Sequence, residues 1–174
     1  MRWTTLPKNV VSAASLDPAF YSRAEVDTYL DIQALTVVVV ANGLAGVGSS
    51  TATETNILVG MGLGIASGVV GWLLWSIVAM LVGTRLFSGT SDFGQMRRVI
   101  GFAYAPLAIG VIPWLGIIGA VWVLVAGVVA IREGMDFSTK RSIATMVIGW
   151  GAWFGITLVI NLVLGWDMRS GWLF

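Results

Sequence analysis

Residues 101–141 read GFAYAPLAIGVIPWLGIIGAVWVLVAGVVAIREGMDFSTKR, and the length of the uncharged part of this stretch decides the fold. From Val99 to Ile131 no residue is charged, a run of 33 positions. A helix that crosses about 30 Å of hydrocarbon needs only about 20 residues. At 1.5 Å of rise per residue, a single helix of this run would overshoot by about 20 Å. The run therefore has to turn back. Pro113 is the pivot, because it has no backbone donor and disfavours helix at Ile112. Two short helices are expected, over about 99–112 and 114–131. The turn near Gly110–Gly116 is uncharged, and Trp114 in it suits an interfacial anchor. The alternative is a re-entrant loop that never reaches the far side, and the charges elsewhere favour the full hairpin.

Working outward, the composition agrees with a lipid solvent. The 174 residues are 57% hydrophobic and 11% charged, and the mean hydropathy is +0.87. Such values belong to integral membrane proteins, and no stretch is long enough for a separate soluble domain. Cysteine and histidine are absent, which removes disulfides, thiolate chemistry, the commonest metal ligand and the commonest general base. The first 31 residues are polar and hold Pro7 and Pro18, unlike a cleaved signal peptide. They form a head of one or two short helices along the membrane interface, with Asp17-Pro18 as a turn and helix start.

The expected fold is all-α and polytopic, with five transmembrane helices at about 32–48, 57–82, 99–112, 114–131 and 143–165 and a tight hairpin between the third and fourth. The membrane domain is 32–166, and the tail 167–174 lies at the outer interface. Of ten basic residues, nine fall in segments that share one side in this scheme: Arg2, Lys8 and Arg23; Arg85, Arg97 and Arg98; Arg132, Lys140 and Arg141. Only Arg169 is opposite. Positive residues stay inside, so the head is cytoplasmic, the tail outside, and the membrane the cell (inner) membrane.

Candidate sites are modest. All nine acids lie in connections or tails, so no span offers an ion pathway or proton relay. No catalytic motif and no metal or cofactor site is expected. Gly60, Gly64 and Gly68 form a small-residue stripe, and Gly151 and Gly155 a second notch, where helices pack closely. The stripe serves either a dimer face or, as favoured here, another span of the same chain. Asn42 and Asn161 suit helix-to-helix hydrogen bonds, or the lining of a polar cavity together with Tyr104. Arg97, Arg98, Lys140 and Arg141 sit where anionic headgroups gather, as orientation signals or lipid contacts. Ser138 is a candidate cap for the last span.

Within the opening stretch, Gly101-Phe102-Ala103-Tyr104-Ala105-Pro106, then Ile112-Pro113-Trp114-Leu115-Gly116, then Trp122 and Arg132-Glu133, resemble the Yip family of Ypt/Rab-interacting membrane proteins. The resemblance implies five spans with a cytoplasmic head, and the short head looks like that of prokaryotic members. The glycine stripe and the missing intramembrane charge point to a non-enzymatic protein of this type, working through helix packing with lipids, other membrane proteins or a second copy, in membrane organisation or trafficking-like roles. An accessory subunit of a larger respiratory or photosynthetic complex, and a permease for a neutral solute, are the alternatives. Nothing points to nucleic acid.

Overall fold

The computed structural model describes residues 3–164, with the side chains of 152–154, 156–157 and 159–164 outside the description. The tail 167–174, and the side chains of Arg2, Asn161 and Arg169, therefore lie outside the described residues. Seven α-helices follow one another: α1 (Leu6–Ala14), α2 (Pro18–Val26), α3 (Asp31–Ala52), α4 (Ile57–Phe87), α5 (Phe93–Ala103), α6 (Gly116–Gly134) and α7 (Thr139–Leu164). Short 3-10 turns occupy Trp3–Thr5, Thr28–Leu30 and Ala105–Val111, and there is no strand among the described residues. Three helical stretches among the described residues are long and apolar enough to cross a membrane: Thr28–Ala52, Ile57–Phe87 and Gly116–Gly134.

The helix expected over 99–112 is divided. Its α-helical part is α5, which starts earlier, at Phe93, and ends at Ala103; Ala105–Val111 continues as a 3-10 helix. Pro106 is the cause. It cannot donate to the Phe102 carbonyl four residues back, and its ring crowds that carbonyl, so the i→i+4 ladder stops. The Pro113 pivot is where the chain turns. Ile112 is extended (ψ 118°), Trp114 takes a left-handed φ of 76° and is 83% exposed, and α6 starts at Gly116. α6 then runs back along the preceding segments. Gly119 near its start abuts Pro106 and Ile109, and Gly134 at its end abuts Met96 and Val99.

α3 and α4 lie antiparallel and almost backbone to backbone. A Cβ on Gly46 would overlap the Gly60 carbonyl; one on Gly64 would overlap the Asn42 carbonyl; one on Gly68 would overlap the Asn42 side chain. The stripe of small residues thus faces another helix of the same chain, as close packing in lipid requires. At the end of α3 a Cβ on Gly48 would overlap the Gly110 carbonyl, so the 3-10 segment is pressed onto α3 in the same way. α7 meets α6 and α4, with Met146 against Gly127 and Gly149 against Val78. Gly151 and Gly155 of the second notch meet no atom within 4 Å among the described residues.

The head is part of the core. Phe20 and Tyr21 of α2 are buried with Met96, Ile100 and Phe102 of α5 and Ile131 of α6 in one cluster. Burying aromatic side chains of this size is the largest apolar contribution a short helix can make.

Candidate functional site

The most structured polar region is the layer where the head meets one end of the bundle. Its central residue is Arg98, whose side chain is only 6% exposed. Arg98 Nε donates to the carbonyls of Ala24 (3.1 Å) and Glu25 (3.2 Å), and Nη2 donates to Glu25 as well. These carbonyls end α2, where the helix dipole favours a cation. Arg98 Nη1 reaches Asp31 Oδ1 at 3.3 Å, and Arg97 Nη2 reaches Asp31 Oδ2 at 2.9 Å. Asp31 opens α3, so one carboxylate joins two arginines to the start of a long helix. Of the four cations considered for headgroups, Arg98 is therefore buried and committed to the head. Arg97 is half-exposed and paired, and lies 5.9 Å over the Phe93 ring. Lys140 and Arg141 are exposed and form no ion pair among the described residues.

α5 is positioned by a capping box. Asp92 accepts from the Gln95 amide (2.8 Å), and Gln95 returns a bond to the Asp92 amide (2.6 Å), which satisfies two orphan donors. Gln95 Nε2 also donates to Glu25 Oε1 at 3.1 Å. Burial pushes the Glu25 carboxyl up from its ordinary range, the nearby Asp136 adds to this, and Arg98 opposes it. On α6, Arg132 pairs with Glu133 at 2.7 Å, and Glu133 Oε2 accepts from Ser22 Oγ at 2.8 Å.

The residues that carry the family resemblance meet here and just below. Phe102 packs edge-on to Phe20 at 4.9 Å. Gly101 lets α5 close on Ala34 and on Trp72, whose indole Nε1 donates to the Arg97 carbonyl at 2.8 Å. Tyr104 meets Trp75 edge-on at 5.9 Å. Trp122 Nε1 donates to the Ala14 carbonyl at 2.8 Å and so closes the last turn of α1. Glu133 holds α2 through Ser22. Pro106, Pro113 and Gly116 instead shape the turn at the other end.

A second polar feature is a cavity of about 700 Å³ between α1, α2 and the start of α3, whose lining includes Lys8, Asn9, Arg23, Asp27, Tyr29 and Gln33. Asn9 and Gln33 are buried, and Asn9 Nδ2 donates to Gln33 Oε1 at 2.8 Å. Arg23 Nη2 donates to Asn9 Oδ1 at 3.2 Å, with its guanidinium 5.5 Å over the Phe20 ring.

Sequence reasoning did not single out Asn9, Ser22, Gln33, Trp72 or Gln95. Their partners are 24 to 111 residues away, or belong to a cap that only Asp92 three residues before Gln95 hints at. Asn42 bonds back to Val38 of its own helix (2.8 Å) and fills the space above Gly68. No cluster of carboxylates suited to a metal ion is found among the described residues.

Comparison with known proteins agrees with the motif. The model of the Yip1 domain family matches residues 19–166, from α2 through the whole bundle. Searches of curated proteins and of solved structures each found no match.

Proposed function

The chain belongs to the Yip1 domain family, a membrane family that is generally not enzymatic, and from that premise we propose a five-span, non-catalytic organiser of the cell (inner) membrane. The head 1–31 is cytoplasmic and the tail 167–174 is outside. The protein works by helix packing and by contacts with lipids, other membrane proteins or a second copy.

The observation that carries this reading is the division of charge between the two ends of the bundle. At one end, Asp31 meets Arg97 and Arg98, Phe137 meets Phe87, and Glu133 meets Ser22. At the other end, where Gly46 meets Gly60 and Gly48 meets Gly110, the connections 53–56 and 112–115 hold Glu54 and no cation. Among the described residues all eight basic side chains therefore belong to the first end, the pattern that cytoplasmic segments have. The third crossing is made in two pieces. They are the end of α5 beyond Arg98, from Val99 to Ala103, and the 3-10 segment Ala105–Val111.

Reporters fused to the two ends of the chain test the crossing number. The reading expects them in opposite compartments. Both in one compartment would mean an even number of crossings and would remove the reading.

A further inference from the structure

We infer that the cavity between α1, α2 and the start of α3 is a binding site for the phosphate headgroup of an anionic phospholipid. The inference rests on the membrane reading above and adds the class of ligand and the residues that hold it. Three observations point the same way.

First, the cavity is about 700 Å³, room enough for a headgroup, and it is lined by two cations, Lys8 and Arg23, and one carboxylate, Asp27. That leaves one positive charge, matched to a phosphodiester. Second, the donors are prepared. Arg23 lies over the Phe20 ring and gives Nη2 to Asn9, which fixes the plane of the guanidinium while its other N–H groups make no bond among the described residues. Asn9 is in turn fixed by Gln33, and each of these amides is 4% exposed. A planar, held guanidinium beside an exposed ammonium is a combination suited to phosphate oxygens. Third, the place favours a lipid over a solute. Gln33 lines the cavity from the first turn of α3, and its neighbours Ile32 and Leu35 are exposed apolar residues at the start of a candidate span. Tyr29, 84% exposed, stands at the rim, where an amphipathic ring suits the headgroup layer. The site is separate from the Arg98 layer, whose charge is already spent on Asp31 and on the carbonyls of α2.

The test is native mass spectrometry of the full chain in mild detergent, titrated with phosphatidylglycerol and with phosphatidylcholine. Phosphatidylglycerol should be retained over phosphatidylcholine. The pair Lys8→Gln with Arg23→Gln should weaken that retention by about 30-fold, at about fivefold per basic residue near an anionic surface. Glutamine at position 23 keeps a donor for Asn9, and the melting midpoint reports whether the fold is intact. Should the pair unfold, Lys8→Gln alone decides, because Lys8 is exposed and makes no hydrogen bond among the described residues. Equal retention by parent and variants would overturn the site. So would loss of the lipid to millimolar inorganic phosphate, which would assign the cavity to a soluble anion. The titration is indifferent to the number of crossings, so its failure leaves the five-span reading standing, and the reporter test decides that reading alone.

Discussion

The α3–α4 seam and the head layer hold the same molecule together by opposite means. Along the seam, Gly46, Gly60, Gly64 and Gly68 bring two backbones into contact with no charge involved. In the head layer, Arg98 threads a charged side chain between α5 and the end of α2 and satisfies carbonyls and a carboxylate at once. The difference follows from the solvent. Lipid gives apolar side chains no reason to cluster, so helices there gain by close van der Waals approach. At the membrane surface water competes for every polar group, and a fixed arginine with several partners holds a short helix that could not stay folded alone.

The contrast predicts a graded series. The largest effect belongs to backbone contacts that cannot relax. Gly48→Val would drive a side chain into the Gly110 carbonyl and should cost about 3 kcal/mol, the upper end for overpacking. The check is the melting midpoint in detergent, and an unchanged midpoint would mean that α3 and the 3-10 segment are not pressed together. Next comes Arg98→Ala, which strips several charge-assisted bonds from α2 and should cost about 2 kcal/mol. Limited proteolysis near 15–17 or 27–30 would read it as release of the head while the bundle stays protected. Trp122→Phe removes one indole donor from the Ala14 carbonyl and should cost about 1 kcal/mol, with α1 exchanging its amide hydrogens faster. At the small end, Gly62→Ala, on the same helix as the stripe but facing open space, should be neutral or stabilise by up to about 1 kcal/mol. Destabilisation there would show that the face of α4 has been misassigned.

Acidity separates the two regions further, because the seam has nothing to titrate and the head layer has Glu25. Its carboxyl is raised in the folded protein, so the folded state binds the proton more tightly than the unfolded chain does. That contribution is present below the ordinary value of 4.5 and is lost as pH rises through the raised folded value. The difference in melting midpoint between parent and Glu25→Gln should therefore move against the parent as pH rises through that window. A difference independent of pH would remove burial as the cause.

Much of this was legible in the chain. The uncharged run of 33 residues demanded a turn, and Pro113 marked where it falls. Asp17-Pro18 announced the start of α2, and Asp17 does accept from the Ala19 amide. What the sequence hid was pairing at a distance. The glycine stripe was visible on α4, but its counterparts on α3, Gly46 and the Asn42 carbonyl, follow no period that reads as a stripe. Pro106 stands in plain view as part of a motif, and it ends the α-helical ladder at Ala103, before the chain reaches the stronger turn signal of Pro113. Arg97 and Arg98 look alike in sequence, adjacent cations at the mouth of a span. Only the fold distinguishes them, because α2 packs over one and leaves the other half in water. The head reads as one or two short interfacial helices, and the burial of Phe20 and Tyr21 was hidden because it depends on α5 and α6, which lie far along the chain.

The account turns on the chain turning back at the far face of the membrane between α5 and α6. The chain has no cysteine, so single cysteines can be placed without background. The decisive measurement is labelling of Trp114→Cys and Ser138→Cys, both at exposed positions, by an impermeant maleimide in sealed vesicles of known orientation. The account predicts that position 138 reacts only from the cytoplasmic side and position 114 only from the opposite side. Reaction of both from the cytoplasmic side would make the 101–131 segment a re-entrant loop and would contradict the five-span fold.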